Sequence, residues 1–325
     1  MKKYLITGAA GFIASVVSEM LLDQGAQVVG IDNLNQAYDV RMKEYRLSRL
    51  KKIDGFSFHK LDVSDRDLLR DDNLTGQGFD AVINLAARAG VRDSLDDPWV
   101  YLETNTTGTL NLLEFCKQEK ISKFLLASTS SIYGADAPLP TSESASSDLP
   151  LQSYAASKKG AEVLAHAYHY LYDIDVSVVR YFTVYGPAGR PDMVMFRFTK
   201  WIQEEMPLLL NGDGNQSRGF TYVDDIAHGT IAALKPVGYE IFNLGGHEVM
   251  TINELIAVLE MKIGKKANVK KQPMHLADMI TSHADVSKAK SLLNWEPKIS
   301  LEEGIDRLVD WYQQERSWAS EIETN

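Results

Sequence analysis

The stretch Thr7-Gly8-Ala9-Ala10-Gly11-Phe12-Ile13-Ala14 constrains this chain most, because it joins a short apolar run, Tyr4-Leu5-Ile6-Thr7, to a helical pattern over 13–24. Gly8 permits a tight turn, Gly11 lets the backbone approach a pyrophosphate, and Ala14 leaves room for close helix–strand packing. Phe12 and Ile13 open the helix, whose first N–H groups and positive dipole end favour an anion. A glycine pair of this kind also serves as a plain tight turn, so its surroundings decide. Asp32 ends the next β-branched run, about 20 residues further on, where a carboxylate can bind both ribose hydroxyls of a dinucleotide. No arginine replaces or directly follows Asp32, so NAD is expected rather than NADP.

Five further apolar runs carry the pattern onward: Gln27-Val28-Val29-Gly30-Ile31, Phe56-Ser57-Phe58, Ala81-Val82-Ile83-Asn84-Leu85, Phe124-Leu125-Leu126-Ala127 and Val176-Ser177-Val178-Val179-Arg180. Each is too short for a helix and most lack alternation, as strands covered on both faces do. Helical stretches over 13–24, 98–118 and 154–172 separate them. Strand–helix repetition implies an α/β fold with a Rossmann-type, doubly wound parallel sheet. Past residue 184 the rhythm changes: helices over 195–205 and 252–263 alternate with polar turns such as Asn211-Gly212-Asp213-Gly214-Asn215. Glu240-Ile241-Phe242-Asn243-Leu244 still reads as a strand of the main sheet. The expected division is an NAD-binding domain over 1–183, with a later contribution from about 219–245, and a smaller mixed α/β substrate domain over 184–218 and 246–325.

Composition agrees with two lobes. The 325 residues are 45% hydrophobic, which excludes general disorder, and one cysteine excludes a disulfide framework. A net charge of −10 argues against a nucleic-acid binder that works by neutralising phosphates. The N-terminal apolar run is too short for a signal peptide, and no segment approaches a membrane span, so a cytoplasmic protein is expected.

Strand ends supply the remaining candidates. Asn33, Asp62, Val63 and Leu85-Ala86-Ala87 stand where a dinucleotide would lie, with Asn105 either beside it or no more than a helix N-cap. Tyr154 and Lys158 fall one turn apart on a helix, and a nearby cation lowers a phenol's pKa toward that of a usable base. Thr129, Ser130 and Ser131 end the fifth strand as a hydroxyl cluster. Glu162, His166 and His169 share the Tyr154 helix, are expected on its outer face, and lack the support a metal site requires. The lysines at 262, 265, 266, 270 and 271 read as solvated surface, and Cys116 as core or subunit contact.

Together these segments resemble the extended short-chain dehydrogenase/reductases of the nucleotide-sugar epimerase type. The resemblance rests on Thr7–Ala14, Asp32-Asn33, Leu85-Ala86-Ala87, Ser128-Thr129-Ser130-Ser131-Ile132-Tyr133-Gly134 and Tyr154-Ala155-Ala156-Ser157-Lys158. Arg180-Tyr181-Phe182-Thr183-Val184-Tyr185-Gly186-Pro187, Arg218-Gly219-Phe220-Thr221-Tyr222-Val223-Asp224-Asp225 and Ala284-Asp285-Val286-Ser287-Lys288-Ala289 complete it. Ala14 departs from the usual glycine and is sterically tolerable. The resemblance implies that Tyr154 is the base, Lys158 its pKa modulator and ribose anchor, Thr129 a substrate-positioning hydroxyl, and Tyr181 part of the cofactor site. It also implies a homodimer through the helices over 98–118 and 154–172.

Family dehydratases and uronate decarboxylases resemble one another in carrying an acid in the segment after Thr129, and here both positions are serines. Thr183 and Arg190, in Thr183-Val184-Tyr185-Gly186-Pro187-Ala188-Gly189-Arg190, together with Arg92 in Ala89-Gly90-Val91-Arg92, are similar to the form found in UDP-glucuronate 4-epimerases. A 4-keto uronate is a β-keto acid, and donors at Ser130, Ser131 and Thr183 with a cation in reach would hold its carboxylate against loss of CO2. Arg190 is expected either on that carboxylate or paired with Asp192. Arg218 is expected on the diphosphate and Asp278 on the uridine ribose. The activity implied is NAD-dependent C4 epimerisation of a UDP-sugar, UDP-glucuronate to UDP-galacturonate. The alternatives are a neutral UDP-hexose epimerase, a decarboxylase and a non-catalytic NAD-sensing module.

Overall fold

The structure, a computed structural model, describes residues 1–246, 248–274 and 281–324. Strands β1 (Lys3–Thr7), β2 (Gln27–Ile31), β3 (Phe56–His59), β4 (Ala81–Asn84), β5 (Lys123–Thr129) and β6 (Asp175–Tyr181) fall where the apolar runs predict them. β7 (Thr183–Tyr185), β8 (Pro207–Asn211), β9 (Ser217–Tyr222) and β10 (Tyr239–Leu244) follow, then β11 (Val249–Thr251), β12 (Asn268–Gln272) and β13 (Thr281–Ser282). The main sheet runs β10-β6-β5-β4-β1-β2-β3, and every pairing in it is parallel. Successive side chains on a strand point to opposite faces, and both faces are covered. Tyr4 and Ile6 pack with Val17 and Leu21 of α1 (Phe12–Asp23), whereas Leu5 packs with Leu112 and Phe115 on the other side.

The strand order reverses between β1 and β4, which opens a crevice at their C-terminal ends where ligands of such sheets bind. The two ends are tied together there. Thr7 Oγ1 donates to Asn84 Oδ1 (2.8 Å) and accepts from the Ala86 amide (3.0 Å).

After α2 (Arg41–Leu50), the helix expected over 98–118 is not continuous. It runs as α3 (Pro98–Tyr101), a π-helical stretch Leu102–Thr107, then α4 (Gly108–Glu119). Asn105 sits inside the widened turns. Its side chain donates to the Arg88 carbonyl (3.0 Å) and to Ser157 Oγ (2.9 Å), and it accepts from the Arg88 amide (2.9 Å). Ser157 belongs to the next helix, α5 (Ser153–Tyr172).

The second lobe is built around β9. One edge pairs antiparallel with β11 and the other takes β13 at Ser217 and Arg218, and β7 pairs parallel with β9 from Phe220 to Tyr222. The segment expected to rejoin the main sheet from about 219 therefore begins later, with α7 (Val223–Ala232) packed on α1 and then β10. α6 (Val194–Gln203), α8 (Ile252–Ile263) and α10 (Leu301–Gln314) complete the lobe, with Phe196, Leu255, Leu259, Ile305 and Tyr312 at its core, whereas α9 (Ser287–Leu293) packs back on α7 and β10 of the sheet layer. Phe12 and Met42 belong to the same apolar cluster, so the two lobes share a packed floor. Among the described residues no helix is long and apolar enough to cross a membrane.

Candidate active site

A cleft of about 730 Å³ lies along the β1–β4 switch point and continues between the lobes. At its Rossmann end Gly8 has φ +67°, and a Cβ there would stand 2.9 Å from the Ala86 Cα and amide nitrogen. At Gly11 a Cβ would come within 2.7 Å of the Gly8 carbonyl. The cradle is shaped for something that approaches backbone, and α1 starts with no side-chain cap on its free N–H groups. Both features suit a pyrophosphate. Gly8, Gly11, Phe12, Ile13, Asp32, Asn33, Asp62, Val63, Leu85, Ala86, Ala87 and Tyr181 all face this cleft.

Asp32 is buried and accepts from the Leu34 amide (2.8 Å). Lys43 Nζ stands 3.4 Å from its Oδ1 and donates to Asn35 Oδ1 (3.1 Å), so a cation neighbours the carboxylate after all, from α2. Asn33 donates to Asp62 (2.7 Å). Burial pushes the Asp62 carboxyl up, but hydrogen bonds from Ser64 and Asn33 outweigh it and hold the group below its ordinary range. Asn105 departs from expectation. It neither caps a helix nor faces the cleft, because Arg88 and Ser157 consume its amide.

Tyr154 and Lys158 enter from α5, and Thr129, Ser130 and Ser131 from the end of β5. Burial raises the Tyr154 phenol, while the Thr129 hydroxyl and the Arg190 charge pull it back down. Of these effects on the phenol, burial is the largest. Tyr101 packs its ring edge-on to Tyr154 at 6.1 Å. Lys158 is 1% exposed, and its Nζ has no hydrogen-bond partner among the described residues. Burial depresses its pKa to about 8, with the Glu162 carboxylate acting in the opposite sense. A buried ammonium with unspent protons fits a ribose diol, so the cleft accommodates a nicotinamide dinucleotide at both ends.

A further stretch of the cleft lining joins Ser130, Ser131 and Thr183 to Arg190, Arg218 and Arg92. Arg190 forms a fork with Asp192, Nε to Oδ1 at 3.0 Å and Nη2 to Oδ2 at 2.5 Å. Arg92 reaches across the cleft from the Rossmann side, and Asn211 Oδ1, with its amide turned oxygen-first, accepts from both terminal nitrogens (2.9 and 2.7 Å). Arg218 donates to the Ser217 carbonyl (2.8 Å). Asp278 lies outside the described residues.

Sequence reasoning overlooked Lys43, Asn211 and Arg197. Arg197 stacks on Trp201 (4.4 Å), its Nε is buried without a partner among the described residues, and burial and then the Arg92 charge lower its pKa. A lone arginine within Met195-Phe196-Arg197-Phe198 was a legible signal. Lys43 gave none, lying in a charge-rich helix. Glu162 corrects a further expectation: it is 2% exposed on the inner face of α5, bound to Arg180 and Ser128. His166 and His169 pack on Tyr239.

The chain is 57% identical over 312 residues to the UDP-glucuronate 4-epimerase of Thermodesulfobacterium geofontis (strain OPF15), covering 96% of each chain. Among solved structures it matches the UDP-glucuronic acid 4-epimerase from Bacillus cereus in complex with UDP-glucuronic acid and NAD, with TM-score 0.90 and 38% identity over 96% of this chain and 99% of that one. It also matches the UDP-glucose 4-epimerase from Thermotoga maritima with UDP-glucose, with TM-score 0.89 and 30% identity over 97% and 99%. The model of the NAD dependent epimerase/dehydratase family matches residues 4–245, and the chain belongs to that family.

Proposed function

We propose that this chain is an NAD-dependent UDP-glucuronate 4-epimerase, interconverting UDP-glucuronate and UDP-galacturonate. The observation that carries the uronate reading is the hydroxyl wall of Ser130, Ser131 and Thr183 in the cleft that holds Tyr154 and Arg190, with no acid at either position after Thr129. Gly8, Gly11 and the start of α1 hold the pyrophosphate, and Asp32 holds the adenosine ribose. Phe12, Ile13, Asn33, Asp62, Val63, Leu85, Ala86, Ala87 and Tyr181 line the remainder of the cofactor's path. NAD, when bound, supplies reversible hydride exchange with the sugar C4 carbon.

Tyr154 Oη takes the C4 hydroxyl proton as hydride leaves C4; the 4-keto sugar then turns over, and Tyr154 returns the proton to the C4 oxygen as hydride re-enters at the opposite face of C4. Thr129 hydrogen-bonds the same hydroxyl, and Lys158 binds the second ribose while its charge favours the phenolate. Ser130, Ser131 and Thr183 fix the uronate carboxylate so that the β-keto acid keeps its CO2. Arg190 contributes charge and its remaining donors, with Asp192 locking its plane. Arg92, Arg197 and Arg218 meet the diphosphate, a role for which forked donors are suited. Asp278 is assigned to the uridine ribose by sequence resemblance alone.

The competing substrate is a neutral UDP-hexose, which offers the hydroxyl wall a single C6 hydroxyl in place of a charged, two-oxygen carboxylate. A site built to bind a group discriminates against the analogue lacking it, by ~10² or more. Comparison of kcat/KM for UDP-glucuronate and UDP-glucose is expected to favour the uronate by about that factor. A ratio at or below unity contradicts the uronate reading. We further propose a cytoplasmic homodimer that uses the outer faces of α3 and α5.

A further inference from the structure

Tyr154, Lys158 and Glu162 follow one another at four-residue spacing on α5, so the three side chains form one inner stripe. Glu162 is held from several directions. Arg180 donates to it from Nε (3.0 Å) and Nη2 (2.7 Å), and Ser128 Oγ donates at 2.5 Å. Arg180 in turn donates from Nη1 to the Tyr133 hydroxyl (2.9 Å), which donates to Asn243 Oδ1 (2.6 Å). The Asn243 amide is anchored on the Thr141 carbonyl (2.9 Å). A carboxylate fixed in this way cannot swing toward a neighbour.

Stability alone gives this pair no purpose, since a buried ion pair is often replaceable by apolar side chains without loss. Its neighbour on the stripe supplies one. The Lys158 ammonium is buried with no hydrogen-bond partner, and an unpaired charge there is costly. The other ionisable groups packed around α5 are Tyr101 from α3, Tyr133 after β5, Arg180 and Tyr181 from β6, Arg190 from the loop after β7, and Tyr239 from β10. Two acids also stand on elements that touch α5: Asp93, after β4, whose charge bears on Tyr101, and the exposed Glu103 of the Leu102–Thr107 stretch, whereas Glu162 is the carboxylate whose charge raises Lys158. The α4 carboxylate, Glu114, is engaged by Lys117 and Tyr168 further along α5.

We propose that Glu162 is a positioning residue for the reaction: the clamped, buried counter-ion that keeps Lys158 charged while leaving its protons free for the cleft. Arg180 is what makes this possible. Without it the carboxylate would bond the ammonium directly and draw it out of position. The consequence for turnover rests on the 4-epimerase reading, whereas the charge on Lys158 can be measured without it.

Lysine labelled with 13C at Cε, in the NAD-loaded protein, reports the titration directly, with the Lys158 resonance assigned by its loss in Lys158→Arg. The wild-type midpoint is expected below the ordinary lysine range, because burial disfavours the ammonium. Glu162→Gln is expected to lower it by about one pH unit or more, a tenfold weaker hold on the proton. The alkaline limb of the kcat/KM profile should move down with it, because the charged lysine is lost at lower pH. Glu162→Asp keeps the charge and should hold the midpoint near the wild-type value. Since Glu162→Gln strands a buried guanidinium, Glu162→Gln/Arg180→Met removes both charges, and a smaller fall in the same direction is expected there, because the guanidinium's opposing charge is removed too. A midpoint within about 0.3 unit of wild type in the folded single or double variant overturns the proposal. So does an aspartate variant that titrates like the glutamine one. A wild-type protein that epimerises no UDP-sugar would refute the functional reading while leaving the titration result to stand by itself.

Discussion

Tyr154 stands where burial resists ionisation and two neighbours favour it, the Thr129 hydroxyl and the Arg190 charge. If its oxygen carries the C4 proton, removing that oxygen should stop chemistry and spare binding. Tyr154→Phe is expected to lower kcat by ~10²–10⁴, with NAD content unchanged by absorbance and KM for UDP-glucuronate within a few-fold. A variant turning over within threefold of wild type would sink the assignment. At this scale the sequence was most legible where residue type and strand end coincide. Gly8, Asp32, Thr129, Tyr154 and Lys158 are each placed by a run of neighbours along the chain. Lys43, Arg197 and Asn211 reach the cleft through tertiary packing, which no local pattern records. Glu162 was assigned to the wrong face because a charged residue reads as solvated, and its partner Arg180 lies on another element.

α5 carries two opposed jobs. Its inner stripe presents Tyr154, Lys158 and Glu162, and its outer side leaves Val163 58% and Tyr170 81% exposed, with Leu171 beside them. Trp99 of α3, which touches α5, is 72% exposed. Large apolar side chains exposed on neighbouring helices suit an association site. Wild-type protein is expected to elute as a dimer by light scattering at micromolar concentration, and Val163→Glu/Leu171→Glu as a folded monomer. A monomeric wild type would contradict the proposed assembly. The elements themselves were legible in proportion to their independence. Strands of the main sheet, covered on both faces, show as bare apolar runs. The break at Leu102–Thr107 does not, since it depends on Asn105 finding Arg88 and Ser157. The short strands β7, β11 and β13 take their identity from β9 and carry little signal alone.

Across the whole molecule the charge of −10 and the chemistry of the cleft point in opposite directions. Lys43, Arg92, Lys158, Arg190, Arg197 and Arg218 all face the cavity, so an acidic surface surrounds a locally cationic interior that suits a dinucleotide and an acidic sugar nucleotide. The shared apolar floor through Phe12 and Met42 holds the two lobes that supply those cations. The change of sheet was foreshadowed by the changed rhythm after residue 184, whereas the membership of β9 was not, because pairing partners decide it. The most direct test of the whole account is product stereochemistry. Purified protein incubated with UDP-glucuronate and followed by proton NMR is expected to yield UDP-galacturonate, inverted at C4, without net accumulation of reduced cofactor. Absence of the galacturonate signal, or a UDP-pentose as the main product, would contradict it.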